Sequence, residues 1–319
     1  MSTLYLTQHG TEITKDGGRL VLKCKDEIKY LPSSYAEIIV VLANASISYS
    51  VIKEILRCGG SIIYLDKDGS LLGEMGRSGI GVRNRIRQMR AYLDDGLRLE
   101  IAKAIVQKKI IAQKDLLRVK NKGIDNDKMQ KAIVKLGALV GVARKSNDIE
   151  KLMGIEGIAS KTYFDMFNVL LEDTEFQWIG RRRPAKDPVN AMMNFGYSLL
   201  EKDIRRFINV SGLDSYVGFL HSTDVRKESL IYDIMEVFRS SIIDKLIIRC
   251  LCWNMFKSAD FEMVEGKCYF NDESRIRFIA EYEKYVGSLD DIEGTLREKM
   301  VSEVNGMVRL LQNRVNDTI

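Results

Sequence analysis

A chain of 319 residues, 45% hydrophobic and 29% charged, is long enough for two domains with separate cores, and its composition excludes a disordered or fibrous protein. It has no apolar run of about eighteen residues and no charged n-region leading into an apolar core, so neither a membrane span nor a secretory signal is expected. The net charge of +5 is unevenly spread: thirteen Lys and Arg stand against four acids between Arg77 and Lys122, which leaves the rest slightly acidic.

The first part of the chain reads as β-rich. Arg19–Cys24 alternates, with Leu20, Leu22 and Cys24 on one side, and Glu37–Ala43 carries an apolar run that suits a buried strand. Tyr49–Arg57 has helical spacing and ends at Gly59-Gly60; Ser61–Leu65 is a further strand, followed by the turn Asp66–Gly69 and a return strand from Leu71. His9, beside Gly10, is given no role. Glycine and serine mark a hinge around Gly73–Gly81, which divides the chain into a β-rich domain (1–76), a hinge (77–82) and a helical domain (83–319). Beyond it the spacing predicts helices over Arg83–Leu93, Leu97–Gln113, Lys151–Leu171, a segment capped by Asp187 with Pro188 at its first position, Leu230–Met255 and Ile292–Asn313. The fold class is α+β: a small β-rich domain, then a larger all-α catalytic domain. Five cysteines without paired metal spacing suit free thiols in a reducing cytoplasm.

Three short motifs carry chemistry. Glu156 lies in Gly-Ile-Glu-Gly, His221 ends Gly-Phe-Leu-His, and Asp233, Glu236 and Arg239 follow at three-residue steps that share a helix face. Two carboxylates and an imidazole suit a hard divalent cation, Mg²⁺ or Mn²⁺, with the nitrogen favouring Mn²⁺. Such an ion polarises a phosphodiester. The alternatives are a hydrogen-bonded core histidine, surface ion pairs to Arg239, and a Glu156 merely exposed between glycines. The block from Arg77 to Lys122 is a polyanion-binding face or a solvated amphipathic helix. Arg181-Arg182-Arg183, with Lys186, is a phosphate clamp or a solvated loop. The aromatics Tyr163, Phe164, Phe167, Trp178, Phe195 and Tyr197 have core spacing, with base stacking as the other reading.

Together these motifs resemble the CRISPR-associated spacer-acquisition integrase family. The likeness is carried by Arg87-Gln88 with Arg90, Leu99–Lys103, Gly154–Gly157, Gly180–Pro184 running into Asp187–Ala191, Gly218–His221 and Asp233–Arg239, and it spans nearly the whole chain. The resemblance implies Glu156, His221 and Glu236 as metal ligands, Asp233 and Arg239 as catalytic neighbours, and Asp187 and Asn190 as pocket supports. It implies strand transfer, in which a DNA 3′-hydroxyl attacks a phosphodiester at the edge of a CRISPR repeat. Arg77, Arg83, Arg87, Arg90, Arg181, Arg182, Arg183 and Lys186 are then expected to hold double-stranded DNA, both prespacer and repeat, by its phosphates. A homodimer formed through the β-rich domain and a small ferredoxin-like partner bridging two dimers are also implied. Val237 and Ser240 depart from the pattern beside the site. The rival readings are a transposase-like or repair nuclease outside CRISPR, and a noncatalytic DNA-binding scaffold. The end of the chain at Ile319, soon after its last helix, disfavours the transposase-like rival.

Overall fold

The computed structural model describes residues 3–33, 37–76, 81–221, 227–289 and 294–315. Two compact units divide between Ser78 and Gly79; Arg77 lies outside the described residues.

The first unit holds β1 (Thr3–Leu6), β2 (Thr11–Asp16), β3 (Arg19–Cys24), β4 (Glu27–Pro32), β5 (Ile38–Val41), β6 (Ala45–Ile47), α1 (Tyr49–Arg57), β7 (Ser61–Leu65) and β8 (Leu71–Gly76). One sheet has the order β1-β5-β7-β8, parallel except for β8; the other runs β4-β3-β2-β6. All four residues of β5 are buried, as a strand at the centre of a parallel sheet requires. Ile13 and Leu20 from one sheet, Leu6, Ile39 and Ile62 from the other, and Val51 and Ile55 of α1 make one core.

The second unit opens with α2 (Val82–Leu93), α3 (Asp95–Ile124), α4 (Asp127–Arg144), α5 (Ile149–Phe164), α6 (Phe167–Leu170) and α7 (Pro188–Ser211). It continues through α8 (Ser229–Phe238), a π-helical turn (Arg239–Asp244), α9 (Lys245–Cys252), β9 (Phe261–Val264), β10 (Lys267–Phe270), α10 (Asp272–Val286) and α11 (Leu296–Arg314). Side-chain caps set most of these starts: Asp94, Asn126, Asp148, Asp187, Asn271 and Thr295 each accept a first-turn backbone N–H. Helix α3, whose 30 residues span about 45 Å, is the spine of the unit and packs against α4, α5 and α8.

The structure refines the helical reading in four places. Leu97–Gln113 is only the first part of α3, which runs on to Ile124. Lys151–Leu171 is two helices, because the chain turns at Asp165-Met166. Leu230–Met255 is interrupted by the π turn. The second unit is mostly rather than wholly helical: β9 and β10 form a hairpin whose turn places both Glu265 and Gly266 in the left-handed region (φ 49° and 71°). The hairpin contributes Phe261 and Phe270 to an aromatic cluster with Phe195, Phe256 and Phe278, so its apolar residues do not alternate cleanly and the pattern is hidden. Among the described residues no helix is long and apolar enough to cross a membrane, and all five cysteines are unbridged.

Candidate active site

A cleft of about 240 Å³ opens where α3, α5, α7, α8 and the π turn meet. It is lined by Lys109 and Gln113 of α3, Glu156, Ser160 and Phe164 of α5, Tyr197 of α7, Glu236 of α8, and Arg239, Ser240 and Asp244 of the π turn, with Arg181 and His221 from loops. Most of these residues, far apart in sequence, converge because they lie on the inward faces of helices that pack on α3 or beside it.

The loop before α8 is shaped by one buried carboxylate. Asp233 Oδ2 accepts the backbone N–H groups of Phe219 (2.5 Å) and Leu220 (3.0 Å). Its Oδ1 accepts the N–H of His221 (3.1 Å) and lies 2.6 Å from His221 Nδ1. Asp233 therefore sits behind His221, fully buried, and does not line the cleft. Holding Nδ1 fixes the ring and leaves Nε2 for the cleft side. Gly218 lets the loop come this close: a Cβ there would stand 2.7 Å from Ser229 Cβ and 2.9 Å from Asp233 Oδ2. Farther back, Gln88 Nε2 donates to the carbonyls of Asp214 (2.9 Å) and Val217 (2.6 Å), and Arg98 Nε donates to that of Phe219 (3.2 Å).

Glu156 and Glu236 come together from α5 and α8. The ammonium of Lys109 pairs with Glu156 Oε1 and lies 2.5 Å from Glu236 Oε2. Ser160 Oγ donates to Glu156 Oε1 (2.8 Å), and Arg239 Nη1 pairs with Glu236 Oε1 (3.0 Å). Burial alone raises the Glu236 carboxyl, but Arg239 and Lys109 more than offset that and hold it down at about 2. Beneath them, Asp244 accepts hydrogen bonds from Tyr197 (2.6 Å) and Tyr163 (2.9 Å). Its burial pushes it up to about 6 against those two bonds. The Arg181 and Arg239 guanidiniums lie 5.2 and 5.1 Å from the centre of the Tyr197 ring.

The other residues named from sequence are distributed as follows. Asn190, buried at the start of α7, accepts the Arg182 N–H (2.8 Å) and an Arg181 Nη1 bond (3.1 Å), and donates to the Gly180 carbonyl (2.8 Å) and to Asp187 Oδ2 (2.7 Å). Asp187 and Asn190 thus brace the loop that carries Arg181 to the cleft. Arg182 and Arg183 are exposed beside the cleft's lining, and Lys186 turns away to the Gly266 carbonyl (2.8 Å). Arg83, Arg87 and Arg90 lie on α2 and do not line the cleft.

Lys109, Gln113, Ser160 and Asp244 escaped the sequence reading, and Tyr197 was read as a core residue or a base-stacking one rather than as a partner of Asp244. One signal was available. The apolar stripe Leu97, Ile101, Ile105 continues at four-residue steps into Lys109 and Gln113 before returning to Leu116-Leu117. Two polar residues on a buried stripe mark a polar interior.

Among the described residues no three His, Cys, Asp or Glu side chains are arranged to hold a metal ion as they stand. The physical reason is that Lys109 occupies the gap between the two carboxylates and Arg239 takes the second Glu236 oxygen. The donor set nevertheless fits a hard divalent cation. It offers two carboxylates around one cation position and an imidazole nitrogen on the same cleft.

Residues 4–284 match the family model of the CRISPR associated protein Cas1. The chain belongs to the Cas1 family. A CRISPR-associated endonuclease Cas1 of Archaeoglobus fulgidus is 29% identical over 292 residues, 86% of this chain and 82% of that protein. One of Thermus thermophilus is 29% identical over 289 residues, 89% of this chain and 84% of its own. A Cas1 structure from Thermotoga maritima superposes with a TM-score of 0.85 at 23% identity, with each chain fully covered. A casposase bound to integration product gives 0.82 at 25% identity, covering 99% of this Cas1 chain and 92% of the casposase.

Proposed function

We propose that this Cas1 protein is a divalent-metal-dependent DNA integrase and endonuclease. It joins the 3′-hydroxyl of a short DNA fragment to a phosphodiester at the edge of a CRISPR repeat by transesterification. The observation that carries this reading is the meeting of Glu156 and Glu236, from separate helices, around one buried cation position, with His221 aimed toward the same cleft by Asp233. The names of its relatives as CRISPR-associated endonucleases support it, and so does the likeness to a casposase bound to integration product.

Glu156, Glu236 and His221 would hold a Mn²⁺ or Mg²⁺ ion, which would supply Lewis-acid polarisation of the scissile phosphate. The chain's own residues do the rest. Asp233 keeps the His221 ring oriented. Arg239, braced between Glu236 and the Tyr197 ring, presents fixed positive charge where negative charge develops on the phosphate oxygens. Arg181, held by Asn190, does the same from the opposite loop. Neither strand transfer nor hydrolysis needs a covalent enzyme intermediate. Exposed Arg182 and Arg183 grip the DNA backbone. The active assembly is a homodimer formed through the β-rich unit, with two dimers bridged by a small ferredoxin-like partner.

The test is a joining assay with Mn²⁺, a repeat-bearing plasmid and short duplexes ending in 3′-hydroxyls. Glu156→Ala, His221→Ala and Glu236→Ala are each expected to lower joining by roughly 100-fold or more while DNA binding persists. Wild-type joining by all three variants would overturn the assignment. DNA binding without joining by the unaltered protein would instead make it a scaffold.

A further inference from the structure

Lys109 is an anomaly in its helix. It interrupts the apolar stripe of α3, its side chain is only 10% exposed, and it points at two carboxylates from other helices. Two carboxylates that face each other in a buried cleft repel unless a cation stands between them. Here the chain provides that cation itself. Both pairings are close, with Glu236 Oε2 2.5 Å from the ammonium. The cleft also contains an unused alternative. Gln113 lies four residues on, one turn along the same face of α3, and its Oε1 is buried without a hydrogen-bond partner. Ser240 Oγ and Arg239 Nε are buried and unpartnered in the same lining. On one side the cleft is therefore charge-balanced, and on the other it holds polar atoms waiting for partners.

We propose that Lys109 is a built-in counter-ion of the metal-free site, displaced from Glu156 and Glu236 by the incoming divalent cation and released toward Gln113 and the DNA phosphate. This rests on the metal-dependent reading above. A charge that stabilises the empty carboxylates thereby becomes a phosphate-binding charge once the ion arrives. The net charge of the cleft rises in the same event, so metal loading prepares it for a polyanion. Lys109 also sets the threshold of loading, because every ion that binds must first break its two pairings.

Mn²⁺ binding is measured by titration calorimetry or electron paramagnetic resonance without DNA, on the full chain and on Lys109→Met and Lys109→Arg. Removing the competing cation is expected to tighten Mn²⁺ binding about tenfold or more in Lys109→Met, whereas Lys109→Arg, which keeps the charge, shows no tightening. The metal-free Lys109→Met protein is also expected to melt lower, and to gain more from Mn²⁺ than the unaltered protein does. A second measurement needs no variant. In the unaltered protein, Mn²⁺ is expected to increase acylation of Lys109 by an amine-reactive reagent, read by peptide mass spectrometry. A Lys109→Met dissociation constant within about twofold of the parent, or Lys109 labelling indifferent to Mn²⁺, overturns the proposal. Absence of Mn²⁺ binding in every form, the parent included, sinks the metal-dependent reading itself. Mn²⁺ binding that ignores residue 109 sinks only this inference.

Discussion

Asp233→Asn is the sharpest single test of how the His221 loop is held. The carboxylate makes four contacts, two per oxygen: Phe219 and Leu220 N–H on Oδ2, and the His221 N–H and Nδ1 on Oδ1. Asp233 and its two Oδ2 bonds are buried, and the two to His221 are partly buried. An asparagine keeps one oxygen and replaces the other with an NH₂ group that faces donors. Its best rotamer leaves the oxygen on Phe219 and Leu220 and orphans the His221 N–H. Two bonds lose charge assistance and one partly buried donor loses its acceptor, for a total of about 2–4 kcal/mol. The NH₂ group can only donate to Nδ1, which puts the ring proton on Nε2, the nitrogen that would ligate the proposed metal ion. Mn²⁺ affinity is then expected to fall by about 10–100-fold. Urea denaturation followed by circular dichroism reads the first effect and calorimetric Mn²⁺ titration the second. A variant within about 1 kcal/mol of the parent, with undiminished Mn²⁺ affinity, would refute the claim that this carboxylate shapes the loop.

Two further outcomes follow from the same site. Gly218→Ala drives a methyl into Ser229 and Asp233 Oδ2 at 2.7 and 2.9 Å; it is expected to cost about 2–3 kcal/mol in a urea melt and to weaken Mn²⁺ binding, and a melt unchanged within about 0.5 kcal/mol contradicts the tight approach. Asp244, raised to about 6 by burial, contributes stability that is complete below its unfolded value and is lost as pH rises through its folded one. Relative to Asp244→Asn, the parent should therefore lose about 3 kcal/mol between about pH 4 and about pH 7, and parallel stability–pH curves for the two proteins would exclude the shift.

Much of the molecule was legible because local patterns and tertiary demands agree. β3, α1 and β7 were readable to the residue, since alternation, helical spacing and glycine punctuation coincide there. Asp187-Pro188 announced the start of α7 through cap chemistry that depends on nothing distant. Strands β1, β2, β4 and β6 were less visible: β4 is mostly exposed and β6 has three residues, so neither carries a strong apolar signature. At the site, Glu156, His221 and Glu236 stood out by residue type and motif, but their neighbours did not. Which helix would bring a lysine to two carboxylates is a question of packing between α3, α5 and α8, and no local window contains it. The same holds for Asp244, an acid in an apolar run whose tyrosine partners come from α5 and α7. Basic residues were the hardest to sort, because a surface charge and a cleft charge share the same sequence context. Arg181 reaches the cleft only because Asn190 ties its loop down.

The wide turn at Arg239–Asp244 amounts to a phase correction. Upstream, α8 must aim Glu236 and Asp233 at two different targets; downstream, α9 must bury Leu246, Ile247, Cys250 and Leu251. A uniform helix advances about 100° per residue and cannot satisfy both requirements with this sequence. Forcing the turn into regular winding with every residue kept would swing α9 about 100° around its axis, exposing its greasy face. Chemistry and core are thus kept in step by a wide turn that absorbs one surplus residue.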